Sequence, residues 1–108
     1  MNRTYLDKAL WIGGVRVIQP KRNGTLRNAD GAYTNVIALA AGKSDFRSQI
    51  KKALEELNLT LVKLTDAELL TERLKKHTMH RDLHVLAKEV KRTGSIRFDV
   101  FQTFDAGT

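Results

Sequence analysis

The feature that most constrains the fold is an apolar segment that leads directly into an amphipathic one, in residues 33–57. The first part reads Y-T-N-V-I-A-L-A-A and lies between Asp30-Gly31 and Gly42; this short run, rich in β-branched residues, predicts a central strand. Ser44 is a suitable cap for the helix that follows. Apolar residues recur there at helical spacing, at Phe46, Ile50, Ala53, Leu54 and Leu57. The segment therefore predicts a strand, a glycine turn and a helix with one buried stripe.

The corner between this strand and helix contains A-G-K-S, which resembles the last four positions of a phosphate-binding Walker A loop. The complete pattern requires a glycine five residues before Gly42, and this chain has Ile37 there. A glycine turn followed by a serine cap accounts for the same residues. The alternative is that Lys43 and the amino terminus of the helix hold a single anion.

Residues 9–19 predict a first strand that is covered on both faces for part of its length. Trp11 and Val17 lie on one parity, whereas Ile12, Arg16 and Ile18 lie on the other. Gly13-Gly14 in its middle predicts a bulge. Residues 21–31 contain an Asn-Gly and an Asp-Gly turn signal, which predict a hairpin with a long loop. This basic loop exposes Lys21, Arg22 and Arg27.

The second half of the chain predicts a short strand, two helices and a final strand. After L-T-L-V-K-L, the spacing Thr65-x-x-Glu68 matches a capping box that would open the next helix. The apolar stripes before and after residues 75–81 are out of phase at 100° per residue, so a break is expected there, with Thr78 capping a third helix that ends at Gly94.

The final segment, S-I-R-F-D-V-F-Q-T-F, alternates as a strand does, with Phe98, Val100 and Phe104 expected to face inward. Phe101 has the outward parity, and together with Trp11 or Tyr33 it is a candidate for a contact patch. A further expectation is that six residues are buried together: Leu54, Leu57, Leu83, Leu86, Phe98 and Val100.

These elements predict a single α+β domain over residues 1–104, with the order β-β-α-β-α-(α)-β and a disordered tail at 105–108. The sheet is expected to be mixed or antiparallel, with the helices packed on one face.

The absence of cysteine excludes a disulfide framework and cysteine-ligated metal sites. The amino terminus, M-N-R-T-Y-L-D-K, lacks an apolar signal core and no apolar run is long enough to span a membrane, so a cytoplasmic location is expected.

The net charge of +7 is unevenly distributed along the chain. Residues 74–92 carry six basic and two acidic side chains, whereas residues 44–72 carry four basic and six acidic ones. Charge of this kind favours an anionic partner, which could be a nucleic acid, a lipid surface or an acidic protein. The candidate binding residues are Lys75, Lys76, His77, His80, Arg81, His84 and Lys88, together with Lys21, Arg22 and Arg27 of the basic loop.

All three histidines fall within this basic segment, where a continuous helix would place them within about 60° of one face. That spacing could offer three nitrogens to a metal, but the predicted break separates His77 from His80 and the neighbouring cations would repel a dication. We therefore expect no metal and no cofactor. His84 with Glu89, or His80 with His84, could in principle act as a general base.

Three functional hypotheses follow. The first is a non-catalytic protein-binding module, of the type of small bacterial immunity or inhibitor proteins, that binds an acidic surface of a partner such as a toxin or an enzyme that it inhibits. The second is an RNA- or DNA-binding protein that uses residues 75–92 and the basic loop. The third is a small enzyme with a histidine general base. No catalytic constellation is recognisable, which favours a protein that is not an enzyme.

Overall fold

The computed structural model describes residues 8–105, which form an antiparallel five-stranded sheet and three helices. In chain order the elements are β1 (Ala9–Ile18), β2 (Gly31–Ala40), α1 (Lys43–Glu56), β3 (Thr60–Leu69), α2 (Leu70–Lys76), α3 (Arg81–Thr93), β4 (Arg97–Phe98) and β5 (Gln102–Phe104). The predicted α+β class and element order are confirmed. Residues 106–108 of the expected tail lie outside the described residues. No helix in the described range is long and apolar enough to cross a membrane.

The β1–β2 hairpin is the centre of the sheet. Its register is unbroken over ten residue pairs, from Ala9 opposite Ala40 to Ile18 opposite Gly31. The sheet order is β3-β1-β2-β4, and β5 also pairs with β2. Because β2 and β3 both run antiparallel to β1, they are parallel to each other, and α1 is the crossover between them.

Helix α1 covers one face of the sheet, which we call the first face. Phe46, Ile50 and Leu54 are fully buried there, in a cluster with Val17 and Val36. The predicted stripe is thus confirmed, but the predicted cap is not. The helix begins at Lys43 after Gly42, and the carboxylate of Asp45, not the hydroxyl of Ser44, accepts a hydrogen bond from the amide before the helix, that of Ala41 (2.8 Å).

Helices α2 and α3 pack on the opposite face, which we call the second face. Ile12 and Ile37 form a second buried cluster with side chains of both helices and of their connection, namely Leu70, Met79, Ala87 and Val90. The prediction that the helices share one face is therefore wrong. The physical reason is visible in β1 and β2, whose apolar residues occupy both parities at this end and so require cover on both sides.

The predicted break between the second and third helices is confirmed, because α2 ends at Lys76 and α3 begins at Arg81. The predicted capping box is wrong, since β3 continues through Leu69 and the hydroxyl of Thr65 donates to the carbonyl of Gly14 (3.3 Å). The bulge predicted at Gly13-Gly14 lies instead in the partner strand: two steps along β1, from Ile12 to Gly14, face three steps along β3, where Asp66 has a φ of 51°. His80, not Thr78, caps α3: its Nδ1 accepts from the amide of Asp82 (3.2 Å). The left-handed Gly94 ends this helix as predicted.

The last strand is interrupted between β4 and β5. Side chains after the interruption therefore face the opposite side of the sheet from the one that simple alternation predicts. Phe98 pairs with Val36 and Phe104 with Gly31, so the register slips by one residue between β4 and β5. Phe101 consequently packs against Phe98 on the first face, with ring centroids 5.8 Å apart.

The slip corrects three expectations for the last strand. Val100 is 71% exposed instead of buried, Phe101 is turned inward, and Phe104 lies on the second face. The six residues expected to be buried together are also divided: Leu54, Leu57 and Phe98 belong to the first cluster, whereas Leu83 and Leu86 pack against the second.

Candidate partner-binding surfaces

The sequence-predicted basic residues of the helices remain exposed in the structure. We call them the basic helical surface, and they are Lys75, Lys76, His77, His80, Arg81, His84 and Lys88. The surface begins at the end of α2, passes over the α2–α3 connection and continues along the outer side of α3.

The part of this surface on α2 is largely paired with acidic side chains. Lys75 lies 3.0 Å from a carboxylate oxygen of Glu72, and Lys76 lies 2.6 Å from one of Glu68. Arg73 donates to the other oxygen of Glu68 (2.5 Å). The hydrogen bonds from Lys76 and Arg73 hold the pKa of Glu68 below its usual value. Arg73 and Lys76 thus fasten the end of β3 to α2, whereas the Lys75 pair lies within α2.

A groove of about 320 Å³ lies beside this ion-pair cluster, at the α2–α3 connection. Lys76, His77 and His80 line it together with Glu68 and Met79. Within residues 8–105, no group of three or more histidine and carboxylate side chains is placed so that it could hold a metal ion.

The two histidine pairs considered for acid–base chemistry differ in their surroundings. Glu89 is five residues beyond His84, about 140° around α3 at 100° per residue, and its carboxylate accepts from Arg92 (2.6 Å). His80 and His84 both lie at the start of α3, and the side chain of His80 is occupied as the helix cap. The structure therefore separates His84 from the carboxylate that would have oriented it.

The outer side of α3 carries cations that are not paired in this way. Arg81, His84 and Lys88 lie within about 60° of one another around the helix, and none forms an ion pair with another described residue. Val85, which is 57% exposed, lies about 40° to one side of Arg81, and Asp82 and Glu89 lie beyond it. The stripe therefore combines positive charge with an apolar edge.

The basic loop lies at the opposite end of the β1–β2 hairpin from α2 and α3. It is ordered by the buried amide of Gln19, which donates to the carbonyls of Arg27 (2.8 Å) and Ala29 (3.0 Å) and accepts from the amide of Leu26 (2.8 Å). The side chain of Leu26 is buried in the first cluster, so the loop folds back toward α1. Arg22 lies 3.9 Å from Asp30. Lys21, Arg22 and Arg27 therefore do not form one continuous surface with the basic helical residues.

The structure also shows a surface that the basic segments did not indicate. Beyond Gly14 and Asn35, the second face of the sheet is left exposed; we call this part the open half, and the part under α3 the covered half. Tyr33, which is 49% exposed, packs there against Phe104 with ring centroids 5.2 Å apart. Trp11 and Phe101, the other candidates for a contact patch with Tyr33, pack on the first face instead. The sequence carries one sign of this exposed surface: on one parity of β1, the apolar Ile12 is followed by the charged Arg16.

The sequence matches no protein-family model, and no curated protein or solved structure is significantly similar to the chain.

Proposed function

We propose that this protein is a non-catalytic binding module that recognises an acidic surface of a partner protein through the outer side of α3. The observation that supports the proposal is the exposed stripe formed by Arg81, His84, Val85 and Lys88. Protein-contact surfaces typically combine an apolar centre with a charged periphery, and Val85 beside the exposed cations Arg81 and Lys88 supplies both kinds of group.

The charge of the stripe specifies the kind of partner. Arg81 and Lys88 have no acidic neighbour within ion-pair distance among the described residues, so their potential is directed outward. Complementary charge accelerates encounter and excludes partners of the wrong sign. A small basic protein of this kind would act as the inhibitor or immunity partner of an acidic toxin or enzyme.

The cations of α2 have a different role in this proposal. Because Lys75 and Lys76 are already paired with Glu72 and Glu68, binding a partner through them would first require those pairs to break. We therefore assign the principal contacts to α3 and treat the α2 lysines as the periphery of the surface.

The experiment compares charge reversals on two helices. The double variant Arg81→Glu with Lys88→Glu removes the stripe on α3, and Arg47→Glu with Lys51→Glu makes the same change in net charge on exposed residues of α1. Each protein is immobilised and exposed to an extract of its host, with and without nuclease treatment, at low and high salt. The proposal expects a protein that is captured by the parent and the α1 variant and not by the α3 variant, with capture weaker at high salt.

Two outcomes would contradict the proposal. Equal loss of capture in both variants would show that only net charge matters. Capture that disappears from every sample after nuclease treatment would show that the retained material was bound through nucleic acid.

A further inference from the structure

The open half of the second sheet face contains a compact group of planar side chains. The guanidinium carbon of Arg16 lies 5.7 Å from the ring centroid of Tyr33 and 5.2 Å from that of Phe104. Both distances fall within the range of cation–π contacts. Three flat groups, one of them charged, are thus held together on an exposed sheet surface.

The aromatic group is held in place by the backbone beneath it. Phe104 lies over Gly31, where a Cβ would come within 2.5 Å of its ring and 2.4 Å of the carbonyl oxygen of Val17. Tyr33 is anchored in β2, which is paired on both sides at this position, with Arg16 in β1 and Gln102 in β5. Both rings are therefore presented by paired strands and not by a loop.

A groove of about 420 Å³ lies beside these side chains. Its lining includes a lysine, two side-chain amides and a hydroxyl, supplied by Lys63, Asn35, Gln102 and Thr65. Lys63 lies directly opposite Arg16 in the β1–β3 pairing, so two cations border the groove. Asp99 also lines it and opposes them in charge.

The chemistry of this surface fits a single-stranded nucleic acid. Unpaired bases stack on aromatic rings and on arginine planes, their edges accept and donate hydrogen bonds to side-chain amides, and their phosphates attract lysine and arginine. An exposed sheet face can accommodate splayed bases, whereas the paired bases of a duplex are not free to stack on it. An acidic protein surface would account for the two cations, whereas a strand of unpaired bases accounts for the cations, the planar group and the amides together.

We propose that the open half binds single-stranded RNA or DNA, with Arg16, Tyr33 and Phe104 as the stacking surface and Lys63 as a phosphate contact. This site is distinct from the α3 stripe and does not depend on it. It also differs from the nucleic-acid interface expected from the sequence, which would combine residues 75–92 with the basic loop. Those two segments lie at opposite ends of the hairpin, and neither contributes to the open half.

The experiment measures fluorescence anisotropy of labelled oligouridine and oligothymidine of roughly 12 nucleotides, with a duplex of the same length as comparison. The parent is expected to bind the single strands more tightly than the duplex. Tyr33→Leu retains apolar cover over the sheet but removes the stacking ring, and it should weaken binding about 5- to 150-fold. Circular dichroism confirms that this variant is folded.

A second pair of variants tests the cations without altering the rings. Arg16→Gln with Lys63→Gln should reduce the slope of log affinity against log salt by about 0.7 for each phosphate that the protein no longer neutralises. The matched variant Arg47→Gln with Lys51→Gln, on exposed residues of α1, should leave that slope unchanged. Because all four side chains are exposed, these changes test binding even if Tyr33→Leu proves unstable.

Three results would overturn the proposal. One is the absence of oligonucleotide binding at low salt. Another is oligonucleotide binding that is retained in Tyr33→Leu but lost in the double variant Arg81→Glu with Lys88→Glu. That result would place nucleic acid on α3 and would also contradict the proposed function. The third is a concentration-dependent dimer, seen by sedimentation and abolished by Tyr33→Leu, which would make a second copy of the chain the occupant of the open half.

Discussion

Ile37 and Tyr33 project from the same face of the same strand, four residues apart, yet Ile37 is fully buried and Tyr33 is 49% exposed. The same contrast appears on β1, where Ile12 is buried and Arg16 is exposed. The division falls at Gly14 and Asn35, which lie opposite each other in the register. The second face thus consists of a covered half under α3 and an open half bordered by β5.

The two halves differ both in whether a helix covers them and in the side chains that their strands supply. In the covered half, β1 and β2 supply Leu10 and Leu39 in addition to the two isoleucines, and all four belong to the cluster with α3. In the open half, the same parity supplies mainly arginine, asparagine and tyrosine, which tolerate water, together with Ile18, which is 38% exposed. The difference is therefore encoded in the strands themselves and is not the accidental result of a short helix.

The largest expected difference in stability is between two truncations to alanine, one in the covered half and one in the open half. Ile37→Ala should reduce the free energy of unfolding by about 2–5 kcal/mol, because it leaves a cavity beneath α3. Tyr33→Ala should cost about 1 kcal/mol, because it removes only a partly exposed aromatic pair and a cation–π interaction. Denaturant unfolding monitored by circular dichroism measures both. Equal losses would indicate that something also covers the open half in solution.

The next prediction compares two losses of stability and tests the slip of register that places Phe104 in the open half. Phe101→Ala should cost about 2 kcal/mol, because Phe101 packs on Phe98 while remaining half-buried. Val100→Ala should change stability by less than about 0.5 kcal/mol, because Val100 is 71% exposed. The reverse order would mean that β4 and β5 form one regular strand, with Phe104 on the first face.

These comparisons also show which parts of the fold can be predicted from sequence. The stripe of α1, the break before Arg81 and the two-sided cover of β1 follow from local periodicity, and the structure agrees. Periodicity did not indicate which face each helix would cover, because a stripe shows that a helix is buried but not against which surface. The exposure of the basic helical residues was likewise predictable from their position opposite the apolar stripes.

The errors arise where distant pairing overrides a local signal. Thr65 and Glu68 have capping-box spacing, but pairing with β1 keeps both in β3, and Glu68 then reaches the cations of α2. The parity of Phe101 was wrong because a one-residue slip reverses every side chain after it. Neither pairing partner lies near these residues in the sequence, so no local pattern could reveal them.

An effect of similar size to that of Phe101→Ala is expected from adding a methyl group under the aromatic pair. In Gly31→Ala the new Cβ would meet the carbonyl oxygen of Val17 at 2.4 Å, and backbone cannot move aside easily. We expect a loss of about 1–3 kcal/mol and displacement of Phe104 from the open half. Gly42→Ala is the control, because nothing lies within 4 Å of its Cβ position and its φ of 171° is extended. A neutral Gly31→Ala would show that Phe104 is not seated on Gly31.

The smallest effect concerns the ion pairs that border the covered half, and it depends on pH. The pKa of Glu68 is lowered in the folded protein by hydrogen bonds from Lys76 and Arg73. This contribution to stability is therefore fully present above the unfolded-state pKa of about 4.3 and is lost as the pH falls through the lower folded-state value. Glu68→Gln should lower the melting temperature at neutral pH and converge with the parent in acid.

Two controls sharpen this last comparison. Glu72→Gln removes only the exposed pair with Lys75, which should contribute little to stability. Tyr33→Leu alters the open half without removing a charge, so its effect on the melting temperature should be the same at neutral and acidic pH. If Glu68→Gln also differed from the parent by a constant amount across this pH range, the ion-pair cluster would not stabilise the border of the covered half. The side chain of Glu68 would then contribute through packing alone, and the acid sensitivity of the fold would have to originate in other carboxylates.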